Sequence, residues 1–370
     1  MPDFGPEVTT LAQQMVRIDS RSGLSNLAMA ECVEAALGGF TVERLDYTDT
    51  AGVAKRALVA RKGTGSGGLA FSGHMDTVPA TGWQDDPWSG RIDDSVLHGL
   101  GSADMKGQVA AAIVAARHLP ERVPVTLLIT TDEETTKAGA KLVAAQSVLA
   151  REAGLSGIVV VEPTGMVPVR GHRSSITFTA LARGVQAHSS TGRGRNANWA
   201  MAPFLMEMRA IHERLRDDPA LHDPGYDPPF GDFNLVIDNH GAPVNMTVPL
   251  TTVRIKFRTS ASVDPVPIRD AVRAAAARCG VELAELAEGK PPELPASHPL
   301  IQLCTAQTGL AAVTVAYGTD ASELQDIAPC VVLGPGDIAV AHTPVERIAL
   351  ADLATAVPVF MRLAETAASA

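Results

Sequence analysis

The segment Gly68-Leu69-Ala70-Phe71-Ser72-Gly73-His74-Met75-Asp76 runs from a short apolar stretch into a histidine and an aspartate. Three other apolar stretches also end beside polar residues: 124–130, 158–161 and 331–334. Short runs of this kind, rich in β-branched residues, are typical of strands that are buried on both faces of a parallel sheet. In open α/β sheets the ligand crevice lies just beyond the carboxyl ends of the strands. We therefore predict a mostly parallel sheet that brings distant polar residues to one edge.

Seven residues with oxygen or nitrogen donors follow these stretches or lie on the turns between them. They are His74, Asp76, Asp104, Glu133, Glu134, Glu162 and His342. Carboxylates and imidazoles without thiolates suit zinc, cobalt or manganese better than an electron-transfer metal. The adjacent acids 132–134 would repel each other at a buried sheet end unless cations or protons lay between them. The set predicts a site for two divalent metal ions.

The positions of these residues suggest different roles. Residues two apart on an extended segment project to the same side, so His74 can bind an ion while Asp76 holds its second ring nitrogen or a nearby backbone group. Asp104 follows a glycine-rich turn at the start of a predicted helix, where it could bridge two ions. Neighbouring side chains on an extended segment point in opposite directions, so Glu134 would bind an ion and Glu133 would act as general base.

This combination predicts the hydrolysis of a polarised carbonyl. Two ions roughly 3.5–4 Å apart lower the pKa of a bound water from about 15.7 towards 7 and stabilise an oxygen-centred transition state. A hydroxide shared by the two ions would attack the carbonyl, and Glu133 would take and relay the proton.

Each assignment also has a purely structural alternative. His74 and Asp76 could be a core histidine beside a helix-capping aspartate, and Asp104 could cap the helix that follows it. Residues 132–134 could form a solvated acidic turn, and His342, after the turn at 334–336, could be an ordinary surface histidine. The combination therefore carries the prediction, because each motif alone would be weak.

Bulk properties limit the partners. The chain has 370 residues, enough for two domains of roughly 100–200 residues each. A formal net charge of −10 argues against nucleic acid or an anionic membrane as a partner. No apolar run reaches the roughly 18–20 residues of a membrane span, and the first residues lack a secretory pattern, so we expect a cytoplasmic protein. The four cysteines form no Cys-x-x-Cys pair, and we expect thiols: Cys32, Cys279, Cys304 and Cys330.

The order of predicted elements changes twice along the chain. Helices near 7–19 and 105–117 alternate with the apolar stretches, which favours β-α-β units with parallel strands. From about 176 to 286 the order becomes strand, helix, strand, strand, helix, strand, which is that of a ferredoxin-like unit. Helices near 300–310 and 350–363 then return to the first pattern.

We therefore predict an α/β fold with one domain inserted into another. A mostly parallel-sheet metallohydrolase domain would comprise residues 1–169 and 287–370. A ferredoxin-like α+β domain would comprise residues 170–286.

Six segments resemble the M20 family of dinuclear zinc peptidases, which includes acetylornithine deacetylases, succinyl-diaminopimelate desuccinylases, aminoacylases and glutamate carboxypeptidases. The segments are 73–79, 103–107, 131–134, 161–163, 184–189 and the region around His342. They run in order along nearly the whole chain, so the set is specific although each match alone is weak.

The resemblance implies two divalent ions, zinc in the first place, with cobalt or manganese as alternatives. Two sets of ligands are implied that share one aspartate: His74, Asp104 and Glu162 for one ion, and Asp104, Glu134 and His342 for the other. Asp76 would then orient His74, and Glu133 would be the acid/base residue.

For the inserted domain the resemblance implies a lid that also forms a homodimer. His188 would supply an oxyanion donor to its own site or to that of the partner subunit, unless it is simply a histidine on the lid surface. Arg258 would bind the α-carboxylate of the substrate, and Asn245 and Thr319 could add hydrogen bonds. Arg258 lies in a run, 253–258, where basic and apolar residues alternate, so a solvated basic face is the alternative.

Segments 317–321, 333–336 and 341–346 most resemble the acetylornithine deacetylase branch. We therefore expect a metal-dependent amide hydrolase that removes a short acyl group from a small N-acyl amino acid. A succinyl-diaminopimelate desuccinylase and a glutamate carboxypeptidase or dipeptidase of the same family are the alternatives. A catalytically silent relative that binds a metabolite is the alternative from a different class.

Overall fold

The computed structural model describes residues 3–369, which divide into two compact units. Unit 1 contains the chain up to Gly171, Pro292–Thr314 and the chain from Thr319 onward. Unit 2 contains His172–Pro291 and Val315–Gly318. The domain limits that we predict from the sequence, 170 and 286, stay predictions. Between residues 3 and 369, none of the helices is both long enough and apolar enough to cross a bilayer.

The first part of unit 1 alternates between helices and strands. In chain order these are α1 (Gly5–Val16), α2 (Leu27–Ala35), β1 (Thr41–Thr48), β2 (Ala54–Lys62), β3 (Leu69–His74), β4 (Ile92–Asp93), β5 (Val96–His98), α3 (Lys106–His118), β6 (Val125–Thr130), α4 (Ala138–Gln146), α5 (Val148–Glu152), β7 (Gly157–Val160) and β8 (Val169–His172).

Unit 2 supplies the next six elements, and the chain then returns to unit 1. The six are β9 (Ser174–Arg183), α6 (Ala197–Asp217), β10 (Phe233–Asp238), β11 (Leu250–Thr259), α7 (Val266–Cys279) and β12 (Glu282–Ala287). The remaining elements are α8 (Pro299–Thr308), β13 (Val313–Val315), α9 (Ala321–Leu324), β14 (Cys330–Val332), β15 (Arg347–Ala349) and α10 (Leu350–Ala368). Three single-turn 3-10 helices lie at Ser189–Thr191, Pro219–Leu221 and Ile338–Val340.

The large sheet of unit 1 has eight strands in the order β1-β2-β6-β3-β7-β14-β8-β13. The four strands in the middle, from β6 to β14, run parallel to one another. The pairs β1-β2, β2-β6 and β14-β8 are antiparallel. This confirms the predicted α/β fold with a large, mostly parallel sheet. Apolar runs did not reveal β1, because its residues alternate between exposed and half-buried.

Burial explains why the middle strands read as apolar runs. Every residue of β3, β6 and β7 is buried, and α3 is buried from Lys106 to Ala116. A Cβ atom at Gly73 would lie only 2.6 Å from Cγ2 of Val109 on α3. Glycine at this position therefore lets α3 pack closely on β3. The close packing fixes the strand end that carries His74 relative to the turn before α3.

Unit 2 is built on a four-stranded sheet in the order β10-β11-β9-β12, in which every neighbouring pair is antiparallel. Apolar residues from one face of this sheet form a core with α6 and α7. On β11 these are Val253, Ile255 and Phe257, while Arg254 and Lys256 point away and are exposed.

Candidate metal centre

Three neighbouring parallel strands bring candidate metal ligands to one edge of the sheet. His74 is the last residue of β3 and pairs in register with Thr130, the last residue of β6. The acids 132–134 follow β6, and Glu162 follows β7 by two residues. Because parallel strands end at the same edge of a sheet, these side chains converge although they are distant in sequence. Two loops, before α3 and before β15, add Asp104 and His342.

The first group of possible ligands is buried. Nε2 of His74 lies 3.2 Å from Oδ1 of Asp104 and 3.9 Å from Oε1 of Glu162. One donor atom from each residue fits within 4.8 Å of the others, which is close enough for the three to share a metal ion.

The second group shares Asp104 and opens to solvent. Nε2 of His342 lies 3.2 Å from Oδ2 of Asp104 and 3.0 Å from Oε1 of Glu134. These donors also lie within 4.8 Å of one another. Asp104 therefore turns one oxygen towards each histidine. It is not a helix cap, because α3 begins after Met105 and has no side-chain cap hydrogen bond.

Asp76 contacts this site with both its backbone and its side chain. Nδ1 of His74 is 3.0 Å from the main-chain oxygen of Asp76 and 3.5 Å from its Oδ1. A proton on Nδ1 satisfies this contact, and Nε2 faces the carboxylate of Asp104, to which a charged ring donates a hydrogen bond. The neutral ring would instead offer the lone pair of Nε2 to a metal ion between the two residues. The carboxylate of Asp76 accepts the backbone N–H groups of Glu133, at 3.2 Å, and of Glu134, at 3.3 Å. Asp76 therefore ties the end of β3 to the acidic turn after β6.

The electrostatics of the first group favour a bound cation. Burial raises the pKa of Glu162 well above its usual value, and the neighbouring Asp104 adds to this shift. Burial acts to lower the pKa of His74, but the nearby carboxylates outweigh it and raise this pKa well above normal. Buried carboxylates need compensating positive charge, and oxygen and imidazole donors without thiolate suit zinc-like divalent ions. The residues present therefore fit metal ions.

Glu133 lies beside both groups but belongs to neither. Burial raises the pKa of Glu133 to about 8, although the ammonium of Lys137 opposes the shift. Nζ of Lys137 is 3.7 Å from Oε1 of Glu133, and it donates to the main-chain oxygen of Thr319 at 2.8 Å. Thr319 is buried, and its Oγ1 accepts the backbone N–H of Ala321 at 3.1 Å.

Two further carboxylates, Glu346 and Asp320, have structural contacts to the site that no local sequence pattern indicates. Oε1 of Glu346 accepts the backbone N–H groups of Ala103 and Asp104, each at 3.0 Å, so it holds the turn that carries Asp104. Oδ2 of Asp320 accepts the hydroxyl of Thr130 at 2.5 Å. Both lie inside segments that carried the family resemblance. A single sequence does not reveal that these carboxylates turn towards a backbone amide or a hydroxyl.

Unit 2 brings two of its three predicted residues together. His188 is exposed, and its Nδ1 accepts the backbone N–H of Ser190 at 3.3 Å and lies 2.7 Å from the Ser190 hydroxyl. This assigns the ring proton to Nε2, which is then an available donor. The main-chain oxygen of Asn245 accepts the N–H of Ser189 at 3.0 Å, so Asn245 lies beside His188.

Arg258 lies at the opposite end of the same sheet. The pair Leu250–Arg183 marks the end of β11 near His188, whereas Arg258 pairs with Ser175 near the other end. Eight residues of strand separate the two ends, which is about 26 Å. Arg258 instead lies near the buried Arg173, whose pKa is lowered by burial and further by the charge of Arg258. Arg173 already has partners, since its Nη2 donates to the main-chain oxygen of Pro228 and its guanidinium lies 5.2 Å from the centre of the Tyr226 ring.

An open α/β sheet whose strand ends gather two groups of metal-binding donors around one aspartate defines a metal-dependent hydrolase. Residues 70–366 match the model of Peptidase family M20/M25/M40, and the chain belongs to this family. It is therefore a metallohydrolase that acts on amides, which confirms the family and the enzyme class predicted from the sequence motifs.

The chain is similar to acetylornithine deacetylases from bacteria. It is 33% identical to that of Erwinia tasmaniensis over 325 residues, covering 84% of this chain and 82% of that protein. It is 31% identical to that of Proteus mirabilis over 350 residues, covering 90% and 88%.

Solved structures share the fold. The dipeptidase Dug1p from Saccharomyces cerevisiae matches with a TM-score of 0.78 at 12% identity, covering 99% of this chain and 97% of that chain. The M20 metallo-carboxypeptidase Sso-CP2 from Sulfolobus solfataricus matches with a TM-score of 0.74 at 15% identity, covering 98% and 100%.

Proposed function

We propose that this protein removes an acetyl group, or a similarly short acyl group, from an N-acyl amino acid, with N-acetylornithine or a near relative as the leading substrate. One observation carries the proposal. The two donor groups around Asp104, together with Glu133, are complete in a chain that is about a third identical to acetylornithine deacetylases over most of its length.

Two divalent ions would occupy the centre, with zinc as the first choice and cobalt or manganese as alternatives. The proposed ligands are His74, Asp104 and Glu162 for one ion, and Asp104, Glu134 and His342 for the other. Bound there, the ions would polarise the carbonyl oxygen of the substrate and make water nucleophilic near neutral pH. Two divalent ions carry four positive charges, and the carboxylates of Asp104, Glu134 and Glu162 offset three of them. The ions and these ligands together would keep one positive charge, which suits an anionic ligand.

Glu133 is the proposed proton carrier. Its carboxylate would take a proton from the attacking water and later deliver it to the nitrogen of the departing amine. A pKa raised to about 8 by burial suits this exchange, since a catalytic base works best when its pKa is near the working pH. Lys137, 3.7 Å from Oε1, would hold the carboxylate in place.

Unit 2 would contribute substrate contacts as a ferredoxin-like lid. Arg258, with Arg173 beside it, would bind the α-carboxylate, and Nε2 of His188 would donate to the oxyanion, with Asn245 and Thr319 as further hydrogen-bonding groups. The 26 Å or so between the two ends of the sheet far exceeds a small N-acyl amino acid. His188 and Arg258 of one chain therefore cannot hold the same molecule, which favours a donor from His188 of the partner subunit.

A homodimer formed through unit 2 would supply that donor. Trp199 and Met206 on α6 are 78% and 63% exposed, and Val244 is 98% exposed. The edge strand β10 adds the exposed Val236 and Ile237. Exposed apolar residues beside an open sheet edge are typical of a surface that another chain covers. Residence in the cytoplasm stays a prediction, to be tested by fractionation of native cells.

The decisive experiment is a substrate panel. N-acetyl amino acids, N-succinyl amino acids and dipeptides should be assayed with zinc, cobalt and manganese, and we expect the highest kcat/KM for the N-acetyl compounds. Activity on N-succinyl compounds alone would favour a desuccinylase, and activity on dipeptides alone would overturn the deacylase proposal. Binding of N-acetylornithine without turnover in the metal-loaded protein would favour a catalytically silent relative.

A further inference from the structure

Asp132, the first of the three adjacent acids, does not join the metal centre. Its Oδ1 accepts a hydrogen bond from Nζ of Lys55 at 2.8 Å, and its Oδ2 accepts one from the hydroxyl of Tyr47 at 2.7 Å. The side chains of Lys55 and Asp132 are 0% and 4% exposed, so this is a buried ion pair. Tyr47 and Lys55 are cross-strand neighbours on β1 and β2, which places both donors on the hairpin at one side of the large sheet.

Lys55 is also linked to Asp76, the aspartate beside His74, through Ser22. Its Nζ donates to the main-chain oxygen of Ser22 at 2.6 Å, and the hydroxyl of Ser22 donates to Oδ2 of Asp76 at 2.7 Å. Asp76 in turn accepts the backbone N–H groups of the two glutamates that follow Asp132. Lys55, Ser22, Asp76 and the turn 132–134 therefore form a closed circuit of hydrogen bonds, which we call the Lys55 ring.

The Lys55 ring includes the backbone N–H groups of Glu133 and Glu134, whose positions determine where the two side chains point. Asp132 has a φ of +62°, in the left-handed region, which among residues with a side chain is most accessible to asparagine and aspartate. Its main-chain oxygen accepts the N–H groups of Thr136, at 3.0 Å, and Lys137, at 2.7 Å, so this conformation starts the turn. The amide contacts to Asp76 are long, at 3.2 and 3.3 Å, and depend on both segments being fixed.

We infer that Lys55 is a positioning residue that sets the directions of Glu133 and Glu134 through Asp132 and Asp76. The two glutamates have different tasks in the proposed function, on which this inference rests, and they are adjacent in sequence. A small rotation of the turn would move both carboxylates at once, one away from its proton-transfer position and the other away from His342. The buried ammonium of Lys55 binds Asp132 directly and Asp76 through Ser22, and both contacts oppose that rotation.

The test is the double variant Lys55→Met/Asp132→Asn. Lys55→Met alone would leave the buried carboxylate of Asp132 without its partner, and this unpaired charge would destabilise the fold. The double variant removes both charges and avoids that effect. With N-acetylornithine as substrate we expect kcat to fall about 10–100-fold, as is usual when partners of metal ligands are removed. At saturating metal, KM and the melting temperature should stay close to wild type, while the ion of the second group should bind more weakly, because Glu134 turns away from His342. A role in stability alone would lower the melting temperature and leave kcat unchanged.

A second measurement does not depend on catalysis. In protein freed of metal with a chelator, amide hydrogen exchange of a peptide covering residues 131–137 should be faster in the double variant. The control is Lys62→Met, because Lys62 is also on β2 and the contacts of its Nζ lie outside the ring: the main-chain oxygens of Arg117 and Leu119 and, at 3.9 Å, the carboxylate of Glu121. Its kcat and the exchange of residues 131–137 should match wild type.

The outcomes separate this inference from the proposed function. Wild-type kcat and wild-type exchange in the double variant would overturn the positioning role. If wild-type protein hydrolyses no N-acyl amino acid, the proposed function fails, and the exchange measurement alone decides on the ring. Faster exchange of residues 131–137 would then support it, and unchanged exchange would overturn it.

Discussion

The two donor groups around Asp104 differ in how the fold holds them. In the first group the histidine ends a buried strand, and the side chain of His74 is 1% exposed. In the second group the histidine lies on a loop with a φ of +60°, and the side chain of His342 is 52% exposed. One aspartate therefore joins a site fixed by the sheet core to a site that faces solvent.

This difference indicates separate tasks for the two groups. A ligand on a buried strand has few alternative conformations, so the first group is organised before an ion arrives. A ligand on an exposed loop loses conformational freedom when it binds, which weakens its hold on the ion. We therefore expect the first group to retain its ion tightly. The second group should exchange its ion more readily and lie nearer to incoming substrate.

The largest effect is expected from the shared residue. The variant Asp104→Asn removes the charge common to both groups and should lower the affinity for both ions. Lewis-acid polarisation and water activation are each worth several kcal/mol, so turnover should fall by about 10⁴-fold or more. Elemental analysis after dialysis, together with the N-acetylornithine assay, measures both effects. Asp352→Asn, on the exposed first turn of α10, is the control and should behave as wild type. Retention of two ions by Asp104→Asn would contradict a shared ligand.

Glu133→Gln should separate the chemistry from the binding of ions. Glutamine has nearly the same size and cannot accept a proton, so hydrolysis should fall about 10²–10⁴-fold while both ions remain bound. In Glu134→Gln the loss should instead come with weaker binding of one ion. Metal analysis of the two adjacent variants distinguishes these results. Near-normal hydrolysis by Glu133→Gln would remove this residue from its proposed role.

The same contrast between strand and loop explains which candidate ligands could be predicted from the sequence alone. An apolar run that ends in a polar residue is a local signal, so His74 and Glu162 could be predicted from the strands that precede them. His342 has no such signal, and only the other candidates made it credible. The convergence of these residues on Asp104 is a property of the sheet order, which places β3 between β6 and β7.

Other contacts depend on pairings that no local pattern encodes. Lys55 meets Asp132 across 77 positions, and that contact exists only because the hairpin of β1 and β2 joins the sheet beside β6. β1 alternates in burial, so a search for apolar runs does not find it. The sequence indicates that the negative charges of the three adjacent acids, 132–134, need positive charges or protons beside them. It could not indicate that the first of them is compensated by a buried lysine.

Removing one histidine at a time tests the comparison directly. His342→Ala should leave one ion per chain and lower the melting temperature of the metal-free protein only moderately, because Asp104 and Glu134 lose the ring between them but this side of the site is open to solvent. His74→Ala should lower that melting temperature further, since it removes a buried side chain and leaves Asp104 and Glu162 facing each other without a cation. Metal analysis and thermal unfolding with chelator present measure both. Equal metal loss and equal destabilisation in the two variants would remove the distinction between the groups.

The smallest expected effect is the release of a proton from His342 when an ion binds to the second group. Hydrogen bonds to Asp104 and Glu134 raise the pKa of His342 to about 10, so metal-free protein at pH 7 carries a proton on this ring. An ion that binds to the second group must displace that proton. The apparent affinity of this group should therefore rise about tenfold per pH unit and level off as the pH passes 10, because the proton is then already lost. Titration calorimetry of metal-free protein at pH 7, in two buffers of different ionisation enthalpy, measures the proton release. His342→Ala should release about one proton fewer than wild type, and identical release would show that this imidazole carries no proton before the ion binds.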